Sequence, residues 1–234
     1  MNWRETWKKF GVVVDRWRVS VVVPTFNGEK YLSAAIESVR SQGGDIAEII
    51  IVDDGSNTPV SELKSLNKKA VRIIRQENQG QGSAINTGVR TAQGELLAFL
   101  DHDDYWAPNK ISCQKRILLE NSLDVVVGEV VNEWSREEAI SSSVNMGPAR
   151  VFGACLFRKS AFLEVGPVTE DRHIHEVIDW WSRANGKLRV GYSNEVALYR
   201  RIHGENQTLK KENVDKGDLF RRVRENIQRN HSNL

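Results

Sequence analysis

The sequence predicts an α/β protein with a mainly parallel central sheet and helices on both faces. Three observations carry this. Short β-branched apolar runs ("VSVVVPTF", "AEIIIVDDGS", "VRIIRQE", "ELLAFLD") recur through the first hundred residues, each with the length and composition of a buried strand. Helix-patterned segments lie between them, the alternation expected of a parallel sheet. Polar clusters at residues 25–27, 53–56 and 101–104 follow three of these runs. Ligands in such sheets bind beyond the carboxyl ends of the strands, so the clusters should surround one crevice.

In chain order, residues 1–18 come first. Trp3, Trp7, Phe10, Val14 and Trp17 fall at steps of four and three, with Lys8, Lys9, Arg16 and Arg18 among them. This spacing predicts an amphipathic helical extension. Such a helix docks on its own domain or on a second copy in a homodimer; the alternative is an interfacial membrane helix with aromatic anchors. "VSVVVPTF" is the first strand and "EKYLSAAIESVRSQ" an amphipathic helix. "AEIIIVDDGS" is the second strand, "PVSELKSLNKK" a weaker helix and "VRIIRQE" the third strand. "GSAINTGVRTAQ" is a helix after a Gly-rich loop, and "ELLAFLD" the fourth strand. Beyond residue 105 the alternation loosens. "NKISCQKRILLEN" is helical, "DVVVGEVV" a strand, and "SREEAISSSVNMGPAR" reads as a mobile polar loop. "VFGACLFRKSAFLEVG" holds a short strand and a helix. "HEVIDWWSRANG" is a helix closed by Gly186, and "EVALYRRIHGENQTL" a strand entering a polar loop. A basic tail follows over residues 206–234.

Length, charge and cysteine content narrow the function. A chain of 234 residues suits one α/β domain with extensions, and no linker divides it. A net charge of +2 gives no bulk attraction to nucleic acid. Cys113 and Cys155 stand in no metal-ligand spacing. No apolar stretch approaches the roughly 20 residues of a membrane span, so the expectation is a cytoplasmic protein, with peripheral contact at the inner membrane face through residues 1–18 as the variant.

The chemistry concentrates in "FLDHDDYW", where Asp101, His102, Asp103 and Asp104 follow a buried strand. Like charges packed this closely repel unless a cation joins them. Asp101 and Asp103 are two apart, so in an extended chain both carboxylates face one way. Hard oxygen ligands of this kind suit Mg²⁺ or Mn²⁺, and a diphosphate supplies further oxygens. A solvated turn capping the next helix is the plainer alternative. Asp53 and Asp54 end the second strand and can meet ribose hydroxyls or a base N–H; the plainer reading is helix capping. "NQGQGS" lacks the spacing of a dinucleotide fingerprint. His173 and His175 have no sulfur or further histidine near them in sequence, so zinc is not expected.

Taken together, "VSVVVPTFNGEKYL", "IIIVDDGS", "NQGQGSAINTGVRTAQGELLAFLDHDDYWAPNKI" and "YRRIHGENQT" resemble the family 2 glycosyltransferases, which have a GT-A-type, Rossmann-like single domain. The resemblance covers about residues 19–205, with 19–105 as the nucleotide-sugar half and 106–205 as the acceptor half. It implies metal-dependent transfer of a sugar from a nucleotide-diphosphate donor to a glycan, lipid-linked or protein acceptor, usually with inversion. A UDP-sugar is the expected donor and Mn²⁺ or Mg²⁺ the expected ion. By position, Pro24, Thr25 and Asn27 would line the nucleotide end, with Glu29 and Gly82 close by. Asp54 would read the base, and Asp53 would support that turn or the ribose. Asp101, His102 and Asp103 would belong to the Asp-x-Asp element. Asp101, Asp103 and His203 would face the metal, and Asp103 and Asp104 the donor sugar.

One departure stands out. The family often carries Glu-Asp-x-Asp-Trp on the acceptor-side helix, with the second residue as base, whereas this chain has Val177 at that point of "HEVIDWWSR". Glu176 is then the expected base and Asp179 the substitute. The alternatives are transfer to a lipid phosphate, which has no proton to lose, and a transferase-like nucleotide-binding module without turnover. A nucleotidyltransferase is disfavoured, because "PTFNGEKY" is a poor match to the basic Gly-rich loop it needs.

Overall fold

The computed structural model describes residues 17–63, 66, 70–136, 139–171 and 175–203. Nine strands form one sheet: β1 (Val19–Thr25), β2 (Ile46–Asp53), β3 (Val71–Arg75), β4 (Leu96–Phe99), β5 (Tyr105–Trp106), β6 (Val125–Arg136), β7 (Ala139–Pro148), β8 (Cys155–Arg158) and β9 (Val190–Ile202). Among the described residues five α-helices accompany it: α1 (Glu29–Arg40), α2 (Gln81–Thr91), α3 (Lys110–Glu120), α4 (Lys159–Val165) and α5 (Glu176–Ala184). The spatial order is β3-β2-β1-β4-β8-β6-β9-β5, with β7 paired to β6.

Period-two alternation explains the two-sided core. Along β1 and β2, Val19, Val21, Val23, Ile49 and Ile51 face one way, toward Leu32, Ile36 and Val39 of α1 and Ile111 and Leu118 of α3. Val22, Ile50 and Val52 face the other way, toward Ala84, Ile85 and Val89 of α2. Both faces are therefore covered, and the strands are apolar throughout. Gly88 lets α2 lie close on the sheet, because a Cβ there would run into Val22.

The first half is parallel, as expected: β2 and β4 flank β1, and β3 extends β2. The second half is mixed. β8 runs antiparallel to β4 and β6, while β9 is parallel to β6. The "SREEAISSSVNMGPAR" stretch is not a plain loop. Its residues 139–148 form β7, an antiparallel partner of β6. The polar composition misled because an edge strand buries little and does not need an apolar face. Over its described part "PVSELKSLNKK" forms a 3₁₀ turn at Val60–Glu62, with Pro59 before it, and is 3₁₀ again at Leu66, rather than a continuous helix. Residues 1–16 and the tail 206–234 lie outside the described residues, and Trp17 packs on the core beneath the Arg158 guanidinium at 4.5 Å.

α5 is anchored by aromatic packing. Trp180 is fully buried, stacks on Phe162 at 4.5 Å and donates its indole N–H to the Gly166 carbonyl. This fixes where the first turn of the helix points, and Glu176 with it.

Candidate active site

The polar clusters converge because the strands that carry them are neighbours. Thr25 pairs in register with Asp53, and Val22 with Phe99, so β1, β2 and β4 end side by side. Beyond these ends lies a cleft of about 440 Å³. Of the residues expected at the site, Pro24, Thr25, Asp54, Gly82, Asp101, His102, Asp103, Asp104 and Glu176 line it.

The β2 end is held by two aspartates with different surroundings. Asp53, 1% exposed, accepts from the Ser56 and Val60 N–H groups and from Arg75 at 2.6 Å. Burial pushes its pKa up, but Ser56, Val60 and Arg75 outweigh that and hold it below the usual carboxylate range. Asp53 shapes the turn and does not line the cleft. Asp54 does, and accepts from Gln76 Nε2 at 2.8 Å and from the Gln79 and Gly80 N–H groups at 2.9 and 2.8 Å. It thereby ties the start of α2 to the end of β2. Asn27, with φ of 50°, bridges the β1 and β2 turns. Its N–H donates to Ser56 Oγ, and its Oδ1 accepts from the Asn57 N–H. Glu29 opens α1 and is not among the cleft-lining residues.

The acidic turn after β4 is clamped from the far end of the chain. The Arg201 N–H donates to Asp104 Oδ1 at 3.0 Å. The Arg201 guanidinium lies 4.8 Å from the Tyr105 ring and 5.5 Å from that of Tyr31. His203 stacks on Tyr31 at 5.0 Å and places Nε2 3.3 Å from Asp103 Oδ2. Asp101 opens onto the cleft, where Gln81 Nε2 donates to it at 2.8 Å. The surrounding protein mass, then Asp103, push its pKa up to about 7, with Arg200 opposing and Glu176 adding to the rise. Burial, then Asp103 and Asp101, raise Asp104 well above its ordinary value, again against Arg200. The turn is thus crowded with carboxyl groups, whose burial and mutual repulsion favour the protonated forms of Asp101 and Asp104. Among the described residues, no set of three or more His, Cys, Asp or Glu is arranged to hold a metal by itself.

The loop before α5 and the first turn of that helix supply another part of the cleft wall. Glu176, 7% exposed, lines the cleft from the first turn of α5. Val177 packs on the core instead. Asp179 is held by Arg183 at 2.8 Å and is not among the lining residues. The loop before α5 presses on α2. Asn86 exchanges 2.9 Å bonds with the Val168 carbonyl and N–H and donates to Glu170 Oε1. Gly82 makes room for it, because a Cβ there would collide with the Thr169 carbonyl oxygen.

Arg200, Arg201, Gln81, Glu170 and Asp171 were missed as site residues. Gln81 and the two arginines lie inside motifs quoted above ("NQGQGS" and "YRRIHGEN"), but no charge count assigns them. Glu170 and Asp171 carry no local signal, since a fold contact with α2 brings them in. His173 lies outside the described residues.

A mixed sheet in this order, with its parallel and mixed halves meeting at an acidic cleft, defines a GT-A-type domain. Fold comparison agrees. The crystal structure of S. aureus TarS 1-349 in complex with UDP-GlcNAc superposes with a TM-score of 0.70, covering 89% of this chain and 65% of that one at 20% identity. The chain belongs to glycosyl transferase family 2, whose profile matches residues 20–165. It is 41% identical over 222 residues to an uncharacterized glycosyltransferase of Nostoc sp., covering 82% of this chain and 67% of that protein. It is also 32% identical over 126 residues, covering 52% of this chain and 50% of the relative, to the Escherichia coli UDP-Glc:alpha-D-GlcNAc-diphosphoundecaprenol beta-1,3-glucosyltransferase WfgD. The Rickettsia relatives that follow the Nostoc protein are longer still, so that this chain spans 65% of two of them and 35% of another. No helix among the described residues is long and apolar enough to cross a membrane.

Proposed function

We propose that this chain moves a sugar from a UDP-sugar to an acceptor hydroxyl, with Glu176 as the general base and inversion at the sugar carbon. The observation that carries this is the shared cleft. Glu176 lines the same cavity as Asp101, Asp103 and Asp104, while Val177 faces the core and Asp179 is tied to Arg183. The UDP-GlcNAc bound by TarS and the UDP-Glc in the name of WfgD support the choice of donor. The name of WfgD also supports a lipid-linked sugar as acceptor.

In this reading Asp54 meets the nucleoside with the acceptor capacity left by its three protein bonds, a carboxylate having about four lone-pair sites. Asp53 keeps the turn in shape. The residues fit a divalent cation in part: Asp103 and His203 converge, Asp101 stands near, and an oxygen–nitrogen set of this kind suits Mn²⁺ or Mg²⁺ once a diphosphate supplies further oxygens. When bound, the ion supplies Lewis-acid stabilisation of the departing diphosphate. Arg200 adds positive charge at the same end. Glu176 takes the proton of the acceptor hydroxyl as that oxygen attacks the sugar carbon from the side opposite the diphosphate. One displacement on one face inverts the centre.

The test is Glu176→Gln. Transfer should fall by about 10²–10⁴, the usual worth of general-base help, with UDP affinity unchanged. Wild-type transfer in Glu176→Gln together with loss in Asp179→Asn would move the role to Asp179.

A further inference from the structure

The "NQGQGS" motif, which does not match a dinucleotide fingerprint, folds into a bridge between two acidic strand ends. The Gly80 N–H donates to Asp54 Oδ2 at 2.8 Å, and the next residue, Gln81, donates from Nε2 to Asp101 Oδ1 at 2.8 Å. Gly80 has φ of 96°, in the left-handed region that favours glycine, and turns the chain into α2 at this point. The backbone that carries Gln81 is fixed on both sides. Asp54 holds it before the helix. Beyond it, α2 lies against Val22 at Gly88 and is bonded to Val168 through Asn86. Chemistry sets the direction of the Gln81 bond, because an ionised carboxylate only accepts and the amide must present its NH₂.

The carboxylates of the acidic turn are held by different groups. Asp104 accepts the Arg201 N–H, and Asp103 meets His203 Nε2. Among the described residues, Gln81 is the hydrogen-bond partner of Asp101. Asp101 is exposed to the cleft, where Asp103 and Glu176 repel it and Arg200 attracts it. Repulsion favours rotamers that swing its carboxylate away from Asp103, and the Gln81 bond opposes that swing.

On the function proposed above, we infer that Gln81 is a positioning residue for the cation: it holds Asp101 by Oδ1 and leaves Oδ2 available to a divalent ion. A side chain that orients a metal-binding carboxylate raises metal affinity without touching the metal. It does so by removing freedom that the carboxylate would otherwise lose on binding. The same short bridge ties Asp101 to Asp54, so the nucleoside end and the cation end of the cleft share one rigid connection through Gly80 and Gln81.

UDP affinity, measured by calorimetry on the full chain over a series of Mn²⁺ concentrations, tests this in wild type, Gln81→Met, Asp101→Ala and the double variant. Methionine keeps the length of glutamine and lacks the donor, and Gln81 is only half-buried, so the core is left alone. The Mn²⁺ concentration that gives half of the rise in UDP affinity should increase by about 10–100-fold in Gln81→Met, the usual cost of losing a group that orients a metal-binding side chain. In the Asp101→Ala background the same substitution should change nothing further, because no carboxylate remains to be held. An unshifted midpoint in Gln81→Met, an equal loss of UDP affinity with and without Mn²⁺, or a further shift in the Asp101→Ala background would each overturn the inference. Wild-type UDP affinity that ignores Mn²⁺ would bring down the underlying cation reading, and the role of Gln81 with it.

Discussion

Replacing Gly82 with alanine tests whether the two halves of the cleft are mechanically joined. Ordinary helix energetics favour the change, since alanine is better than glycine inside a helix by about 1 kcal/mol. Packing opposes it. The new Cβ would collide with the Thr169 carbonyl oxygen and lie 3.1 Å from its carbon. Reaching normal contact needs a shift of about 1 Å. The loop cannot yield freely, because Val168 is 2% exposed and bonded through both backbone groups to Asn86. Overpacking costs about 1–3 kcal/mol, and two weakened hydrogen bonds cost about 1 kcal/mol each. Net destabilisation of about 2–4 kcal/mol follows, or a melting temperature lower by roughly 4–15 °C for a chain of this size. Transfer should fall as well, because the same loop carries Glu170 and leads into Glu176. Thermal melts and UDP-release kinetics read both effects. An unchanged melting temperature would show that the loop is not seated on α2 as described.

Asp54→Ala should weaken UDP binding and lower stability by about 2–4 kcal/mol, because the Gln79 and Gly80 N–H groups lose their acceptor; calorimetry and denaturant titration separate the two effects. Acid should destabilise the fold. Asp53 titrates below its ordinary range when folded, as does Asp124, which is held down chiefly by its hydrogen bonds from Arg189. Their contribution is present above the unfolded value near 3.9 and is lost as pH falls through the folded values. Stability measured from pH 4 to 2, below the range in which the raised Asp101 and Asp104 titrate, should therefore decline, and Asp124→Asn should flatten the decline.

The parallel half of the fold was legible because its strands are buried on both faces, so "VSVVVP" and "IIIV" announce themselves without help from tertiary context. The strand ends were legible for the same reason, and they placed Asp54, Asp101, Asp103 and Asp104 around one cleft. The mixed half was less so. β7 reads as a loop because an edge strand with exposed Val144 and Met146 among serines has no apolar face to reveal it. "PVSELKSLNKK" reads as a weak helix, whereas the backbone leaves helical geometry at Leu63. Within the site, the sequence could not reveal that Arg201 grips the acidic turn from nearly a hundred residues away, or that Asn86 draws Glu170 to the cleft. Such contacts depend on how the sheet closes rather than on local spacing. Asp179 shows the converse: it shares a helix with Glu176, yet pairing with Arg183 four residues on takes it out of the cleft lining.

The proposed function requires the acidic cleft to take a nucleoside diphosphate together with a divalent cation. Calorimetric titration of UDP into the full chain, with Mn²⁺ and then with chelator, tests it most directly, and Asp103→Asn is run alongside. Tight binding is expected only with Mn²⁺, with loss of that Mn²⁺ dependence in Asp103→Asn, since the variant keeps the shape of the side chain but not its charge. Equal UDP affinity with and without the ion, or an Asp103→Asn chain that behaves as wild type, would contradict it.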